Sequence, residues 1–412
     1  MSRSARKPIS KNPEKPLPLF EKESVLDLLM EMLPIPGLSG FEGNIAAFVT
    51  RKLRQAGIPA DAIRHDDAQK RSPLLNGGGE VGNLICTFPG TIRGPRRLLM
   101  AHLDTVPLCA GTRPAIDKNG EFIRSANPAT GLGGDNRSGV CAILNAALTI
   151  MKHRLPHPPL TFFFPVQEEV GLFGARFARL SMLKKPALCF NWDGNLPYRL
   201  VTGATGAYRI HIDITGLASH AGVAPDKGVS AIAIAGLAIA DLNEHGWHGL
   251  IRKAAGTGTS NIGVIAGGDA TNVVAASTSL KAEARSHDSA FRSQIKTAFE
   301  TAFAQAAAKI KNSAGVPGRV AIKSDLHYES FNIPENTPTV VEASRAITAL
   351  GLKPEMHISN GGLDANWMTA HGFPTVTLGA GQQEVHTVAE RLHIDSFVTG
   401  CRIALALSTA SI

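Results

Sequence analysis

The chain has 412 residues, 44% of them hydrophobic and 18% charged, and carries a net charge of +8. That length exceeds one ordinary core and predicts two domains, and the composition is that of a globular chain able to bury a large one. No window of about 18 uncharged apolar residues occurs, so no membrane span is expected. Half of the positive excess lies in residues 1–20, where Arg3, Arg6, Lys7, Lys11 and Lys15 face Glu14 alone. Four prolines and little apolar content mark this stretch as a disordered basic tail. It has no apolar h-region, so no signal peptide is expected. Without basic amphipathic periodicity or interleaved aromatics, it gives no reason to expect nucleic acid as a partner. The five cysteines are scattered and form no C-x-x-C. Reduced, buried thiols and a cytoplasmic setting fit this usage, and Cys109 has no basic partner to make it a nucleophile.

In chain order, Ser24–Leu33 and Phe41–Gln55 have helical spacing, with Ser39 as an N-cap for the second. Residues 64–79 read as a polar loop, and Gly82–Phe88 as a strand. Leu98–Pro107 opens with uncharged apolar residues, as a strand buried on both faces does. His102 and Asp104 follow two residues apart, on one face at the strand end. In open α/β sheets that end is where ligands bind. Next, Thr130–Gly139 is a glycine-rich loop carrying Asp135, and it leads into a helix over Val140–Met151. It is neither G-x-G-x-x-G nor a P-loop. Leu160–Val166 is a buried strand that delivers Glu168 and Glu169, and Ala187–Asp193 repeats the arrangement with Asp193.

From about Gly203 the texture changes. Tyr208–Ile214 alternates apolar and polar residues, as a half-exposed strand does. A helix (Val229–Leu242), two strands (Asn261–Ala266 and Thr278–Ser286), a long helix (Ser289–Ile310) and a strand (Arg319–Ser324) follow. This is β-α-β-β-α-β, an α+β two-layer sandwich with helices on one face. The insert carries His220 in a small-residue turn, Asn272 and Arg285. After Pro334 the first texture returns. Thr339–Leu350 is helical, Ser359–Asn366 is a second glycine loop, and Pro374–Leu378 is a strand. A further loop delivers His386, and Glu390–Leu407 is a closing helix. The expected architecture is therefore α/β. A discontinuous catalytic domain (21–202 and 331–412) has a mixed, mostly parallel sheet flanked by helices, and residues 203–330 form an inserted lid or dimerisation domain.

The collected set is His102, Asp135, Glu169, Asp193 and His386, with Asp104 and Glu168 beside it. Two histidines and three carboxylates without thiolate suit zinc, with cobalt and manganese as alternatives. Three carboxylates exceed the needs of a common single-zinc site and can hold two divalent cations, one carboxylate bridging. A carboxylate left free of metal is then the general base for an activated water.

At these residues the chain resembles the di-zinc metallopeptidases that include peptidase T, carboxypeptidase G, the aminoacylase-type deacylases and succinyl-diaminopimelate desuccinylase, and within them the peptidase T-like branch most. The matching motifs are His102-Leu-Asp104-Thr-Val-Pro, Gly133-Gly-Asp135-Asn, Glu168-Glu169-Val-Gly, Asp193-Gly, Ser219-His220-Ala-Gly, Gly361-Gly-Leu-Asp364 and His386, in the family's order. The resemblance implies a zinc-exopeptidase fold in which His102 and Asp193 hold one zinc, Glu169 and His386 hold the other, and Asp135 bridges. It implies a cis Asp135–Asn136 bond. It implies that Asp104 orients His102, that Glu168 is the base, and that His220 stabilises the oxyanion, in dimeric relatives from the partner subunit. Asn272 and Arg285 become substrate contacts, arginine being suited to a carboxylate. One departure is Asn360, where several peptidase relatives carry arginine ahead of Gly-Gly-x-Asp. The resemblance implies an aminopeptidase acting on short peptides and a homodimer formed through the insert. An N-acyl-amino-acid deacylase is the alternative within the same chemistry, and a non-catalytic binding protein is the alternative outside it.

Overall fold

The computed structural model describes residues 20–73 and 78–410. The basic tail, apart from Phe20, and part of the 64–79 loop lie outside the described residues.

The larger sheet has nine strands. Eight lie side by side in the order Ile63–His65, Leu84–Phe88, Leu160–Phe164, Arg97–Met100, Leu188–Gly194, Thr375–Gly379, Arg199–Ala204 and Phe331–Asn332, while Glu355–Ser359 also pairs with Arg199–Ala204. The four central strands, Leu160–Phe164 to Thr375–Gly379, run parallel, and antiparallel pairs lie to either side. Phe162, Phe163 and Phe164 are all fully buried, which only a strand covered on both faces allows. The helix Gly134–His153 covers one face and packs on the closing helix Ile394–Ser408.

This sheet sets the level of the site. Met100 pairs with Phe163 on one side and with Asn191 on the other. Two residues further along, His102 and Asp193 emerge together, and the chain after Phe164 reaches Glu168 and Glu169. One crevice at the carboxyl ends of the parallel strands therefore collects side chains from three segments.

The second sheet has five antiparallel strands in the order Gly249–Lys253, Gly256–Gly267, Ser277–Ser286, Gly206–Thr215 and Arg319–Tyr328. Ile210, Ile212 and Ile214 alternate inward against the helices Ala231–Glu244 and Ser289–Lys309. Ser230 caps the first helix by accepting the Ala233 N–H, and Asp288 caps the second by accepting that of Phe291. The chain crosses between the two sheets at Thr205 and again at Glu329–Ser330. Asn366, buried, donates to both crossing points, to the Thr205 carbonyl at 3.0 Å and the Glu329 carbonyl at 2.7 Å.

Several local expectations are corrected. The sandwich has a fifth strand, Gly249–Lys253, which the sequence hid because only Ile251 of it is buried. Ser39 caps no helix: the second helix begins at Gly43 after Glu42, and Ser39 Oγ donates to Asp104 Oδ2 at 2.6 Å. Ile63–His65 is a short strand that overlaps the start of the expected loop. The closing helix begins at Ile394, because Arg391–His393 is a strand in a small sheet with Gln382–Gln383, Phe122–Ser125 and Pro114–Ile116. Among the described residues no helix is long and apolar enough to cross a membrane. All five cysteines are free and buried.

Candidate metal centre

His102 is buried, with its ring held at both nitrogens. Nδ1 lies 3.1 Å from the Asp104 carbonyl and 3.4 Å from Asp104 Oδ1. Both partners are acceptors, so a proton sits on Nδ1 and Nε2 is the nitrogen that would face a cation. With carboxylates alone around the ring, burial is outweighed by Glu168, Asp104, Asp135 and Asp193, which raise its proton affinity well above the ordinary value. Nε2 points at Asp135 Oδ1, 3.2 Å away, and Asp193 Oδ1, 3.7 Å away. The other oxygen of Asp135, Oδ2, lies 3.5 Å from His386 Nε2, which in turn lies 3.0 Å from Glu169 Oε2. Asp135 thus divides its two oxygens between two donor groups, His102 with Asp193 and His386 with Glu169. Both sets, each completed by Asp135, are compact enough to hold a metal ion, as are His102, Glu168 and Glu169 together.

The donor set fits divalent cations. Ligand atoms on a tetrahedral zinc ion, with bonds of about 2.0–2.2 Å, stand roughly 3.3 Å apart, and the spacings here bracket that value. Glu169 Oε1 and both oxygens of Asp364 are buried without a hydrogen-bond partner. Buried carboxylates in that condition call for positive charge.

The electrostatics agree. Burial, reinforced by Asp135, pushes Glu169 up to about 7 and Asp193 up to about 6. Burial also raises Glu168 well above the carboxylate range, against the pull of His102. Burial alone would raise Asp135 too, but hydrogen bonds from His102 and His386 hold it below its ordinary value. His386, half exposed, is pushed up to about 10 by its hydrogen bonds to Asp135 and Glu169. A proton on this imidazole supplies part of the charge that a cation supplies when bound.

Asp104 carries more than a ring-orienting bond. Its Oδ1 accepts the N–H of Glu168 at 2.9 Å and its Oδ2 that of Glu169 at 3.1 Å. Beneath it lies the fully buried Arg137, whose guanidinium donates to the carbonyls of Leu103 and Ile35. Glu42 Oε1 accepts the N–H of Gln167 at 3.0 Å and fixes the start of the Glu168 loop.

The helix Gly134–His153 departs from helical angles at Asp135 (φ −82°, ψ 105°) and Asn136, and the peptide bond between them is cis. Gly133 ahead of it has φ 80°, which a residue with a side chain rarely adopts. Gly139 allows the helix against the Asp193 strand: a Cβ there would lie 2.4 Å from the Trp192 carbonyl oxygen.

The inserted sandwich holds the remaining expected residues. His220 is exposed, and its Nδ1 accepts the N–H groups of Gly222 and Val223, both at 3.1 Å. The neutral ring therefore presents Nε2–H outward. The Asn272 carbonyl accepts the Ala221 N–H at 2.9 Å, and His220 forms an antiparallel bridge with Val273, so the Asn272 segment lies beside the His220 turn. Among the described residues His220 makes no hydrogen bond or ion pair with the metal cluster. The Arg285 fork is already engaged, Nε and Nη2 each lying 2.9 Å from a carboxylate oxygen of Glu283. Asn360 Oδ1 lies 3.1 Å from His287 Nε2.

The sequence did not reveal Glu390, whose carboxylate lies under the Asp135 loop, or roles for Glu42 and Arg137. These are lone charges outside any ligand spacing. Asp364 was visible only as part of a glycine motif. Cys109 Sγ lies 3.5 Å from Glu390 Oε2, and burial together with that carboxylate pushes the thiol up, away from nucleophilic use.

Comparison with known proteins is consistent with this geometry. Residues 83–201 match the profile of peptidase family M28, and residues 202–311 match a peptidase dimerisation domain. The aminopeptidase PepT of Bacillus cereus is 30% identical, covering 94% of this chain and 98% of its own, with a TM-score of 0.78. The chain belongs to the peptidase T-like metallopeptidases. A tripeptidase of Staphylococcus aureus is 29% identical over 95% of this chain and 99% of its own, with a TM-score of 0.81. Carboxypeptidase G2 of a Pseudomonas species is 26% identical over 86% of this chain and 81% of its own. This peptidase is a metal-dependent hydrolase of peptide-type amide bonds, and its donor cluster is suited to divalent cations.

Proposed function

We propose that this peptidase is an aminopeptidase that removes N-terminal residues from short peptides with two zinc ions. The observation that carries the reading is the division of the Asp135 oxygens between His102 with Asp193 and His386 with Glu169. In this reading those four side chains and Asp135 would hold the two ions, with Asp135 shared between the two donor groups. When bound, the two cations supply Lewis-acid charge at the scissile carbonyl and lower the pKa of water.

The chain's own groups do the rest. Glu168, buried and held by its own N–H to Asp104, takes the proton of the attacking water and passes it to the leaving amine. Burial raises its proton affinity well above that of an ordinary carboxylate, against the pull of His102. Asp104 keeps the His102 proton on Nδ1. The outward Nε2–H of His220 donates to the developing oxyanion. Since His220 lies exposed on the sandwich, we assign it to the site of a second copy of this chain, in a homodimer formed through residues 203–330. The match to a peptidase dimerisation domain supports that assembly. Asn272, on the segment bridged to the His220 turn, contacts the substrate. Arg285 does so only if a substrate carboxylate displaces Glu283 or shares the fork with it. A cytoplasmic setting belongs to the same reading and is supported by the free, buried thiols.

The second reading is removal of an acyl group from an N-acyl amino acid. The neutral Asn360 and the occupied Arg285 fork bear on both readings alike, because a tripeptide and an N-acyl amino acid each present a free carboxylate. The second reading is supported by the likeness to a succinyl-diaminopimelate desuccinylase of Stenotrophomonas maltophilia, 22% identical over 90% of this chain and 95% of its own. The test is incubation of zinc- or cobalt-loaded protein with di- and tripeptides and N-acyl amino acids, with and without chelator, followed by mass spectrometry. Chelator-sensitive loss of N-terminal residues supports the aminopeptidase. Cleavage of N-acyl amino acids alone assigns the deacylase instead.

A further inference from the structure

Glu390 is almost wholly buried, yet no step of the proposed reaction uses it. Its carboxylate accepts three backbone N–H groups of one loop: Leu132 at 2.7 Å and Gly133 at 2.8 Å on Oε2, and Asp135 at 3.0 Å on Oε1. Cys109 Sγ stands 3.5 Å from the same Oε2. No cation is paired with it among the described residues. An anion satisfied by convergent backbone N–H groups is a strong, directional hold, because charge-assisted hydrogen bonds are shorter and roughly twice as strong as neutral ones.

The two ends of this side chain belong to different parts of the centre. Its backbone lies four residues after His386, and the Glu390 N–H is bonded to the Thr387 carbonyl at 3.2 Å, so the His386 turn closes directly onto it. Its carboxylate holds the loop that carries Asp135. His386 and Asp135 face each other across 3.5 Å. One side chain therefore fixes the relative position of two donors that come from segments about 250 residues apart in the chain. Among the described residues, the tight turn it grips, with Gly133 at φ 80° and an adjoining cis bond, has no other side-chain acceptor for these three N–H groups.

We propose that Glu390 is a positioning residue of the metal centre: it clamps the Asp135 loop to the His386 turn and so sets the donor spacing on which tight metal binding depends. The inference rests on the assignment of Asp135 and His386 as ligands. Groups that orient ligands in this way are worth on the order of 10–100-fold in metal affinity.

The test is titration of metal-free wild type, Glu390→Ala and Glu390→Gln with Co²⁺, read as stoichiometry, affinity and the visible d–d spectrum. Ile347→Val is the control, a conservative change in a fully buried residue of the helix Pro338–Ala349 that lowers stability without touching the clamp. Glu390→Ala is expected to lose about 10–100-fold in Co²⁺ affinity with an altered spectrum, and Ile347→Val to keep both at a comparable loss of melting temperature. Glu390→Gln retains one acceptor oxygen and the volume, so it is expected to fold and fall in between. Wild-type affinity and spectrum in Glu390→Gln and Glu390→Ala overturn the clamp while leaving the metal centre intact. An affinity loss in Ile347→Val equal to that of the Glu390 variants also overturns it. Wild type that binds no Co²⁺ overturns both the clamp and the ligand assignment.

Discussion

Asp104 accepts the backbone N–H of Glu168 at 2.9 Å while its Oδ1 stands 3.4 Å from the His102 ring. One buried carboxylate therefore sets both the orientation of a proposed metal ligand and the position of the proposed base. Asp104→Asn keeps one acceptor oxygen but removes the charge and turns the second oxygen into a donor facing N–H groups. Steady-state kinetics are expected to show a fall of about 10–100-fold in kcat. A variant with wild-type kcat would separate Asp104 from the reaction.

Glu168 and Glu169 are neighbours with different surroundings. Glu169 Oε2 meets His386, whereas Glu168 forms no pair with either imidazole at that range. Glu168→Gln is expected to lower kcat by roughly 10²–10⁴-fold and to keep the metal content of wild type. Loss of a metal ion in this variant would instead place Glu168 in the donor set it can form with His102 and Glu169.

His220→Ala is expected to lower kcat by about 10²–10³-fold, the cost of one oxyanion donor, with KM little changed. If His220 serves the partner's site, mixing His220→Ala with Glu168→Gln restores activity. Each mixed dimer then has one site with an intact base and an intact donor. No recovery from refolded mixtures would return His220 to its own chain's site or to a structural part.

Stability should carry an acid limb from His327. Burial, then Arg209, Arg176 and Arg285, lowers this imidazole from 6.5 to about 3. The unfolded chain takes up a proton below pH 6.5 and the folded chain does not, so stability is lost as pH falls from 6.5 toward 3 and is unaffected above. At pH 5 the loss is about 2 kcal/mol, at 1.36 kcal/mol per pH unit. His327→Phe, which keeps a ring against Phe173 and Tyr328, should gain that much on wild type between pH 8 and pH 5 in urea titrations. Parallel pH profiles for the two proteins would show that His327 is protonated in the fold.

Much of the centre was legible because its residues follow buried strands. His102, Asp193 and the Glu168–Glu169 pair each sit just past an apolar run, and period-two geometry with parallel register brings them level. His386 lies on a loop and Asp135 at the irregular start of a helix, and only their order along the chain made them readable. The supporting acids were not legible. Glu390 and Glu42 accept backbone N–H groups from loops distant in sequence, and no local pattern records such a bond. Strands of two to five residues, such as Gln382–Gln383 and Gly249–Lys253, escaped notice because they bury too little to show a period. Ser39 looked like a cap because capping chemistry and a long-range bond to Asp104 call for the same hydroxyl.

The central claim is a two-metal centre shared through Asp135, and metal stoichiometry tests it most directly. Chelated protein is reconstituted with excess Zn²⁺, desalted and analysed by inductively coupled plasma mass spectrometry alongside His386→Ala and Asp135→Ala. The account predicts two zinc ions per chain for wild type, one for His386→Ala and fewer than one for Asp135→Ala, all three remaining folded by circular dichroism. A single zinc in wild type, or two retained in Asp135→Ala, would contradict it.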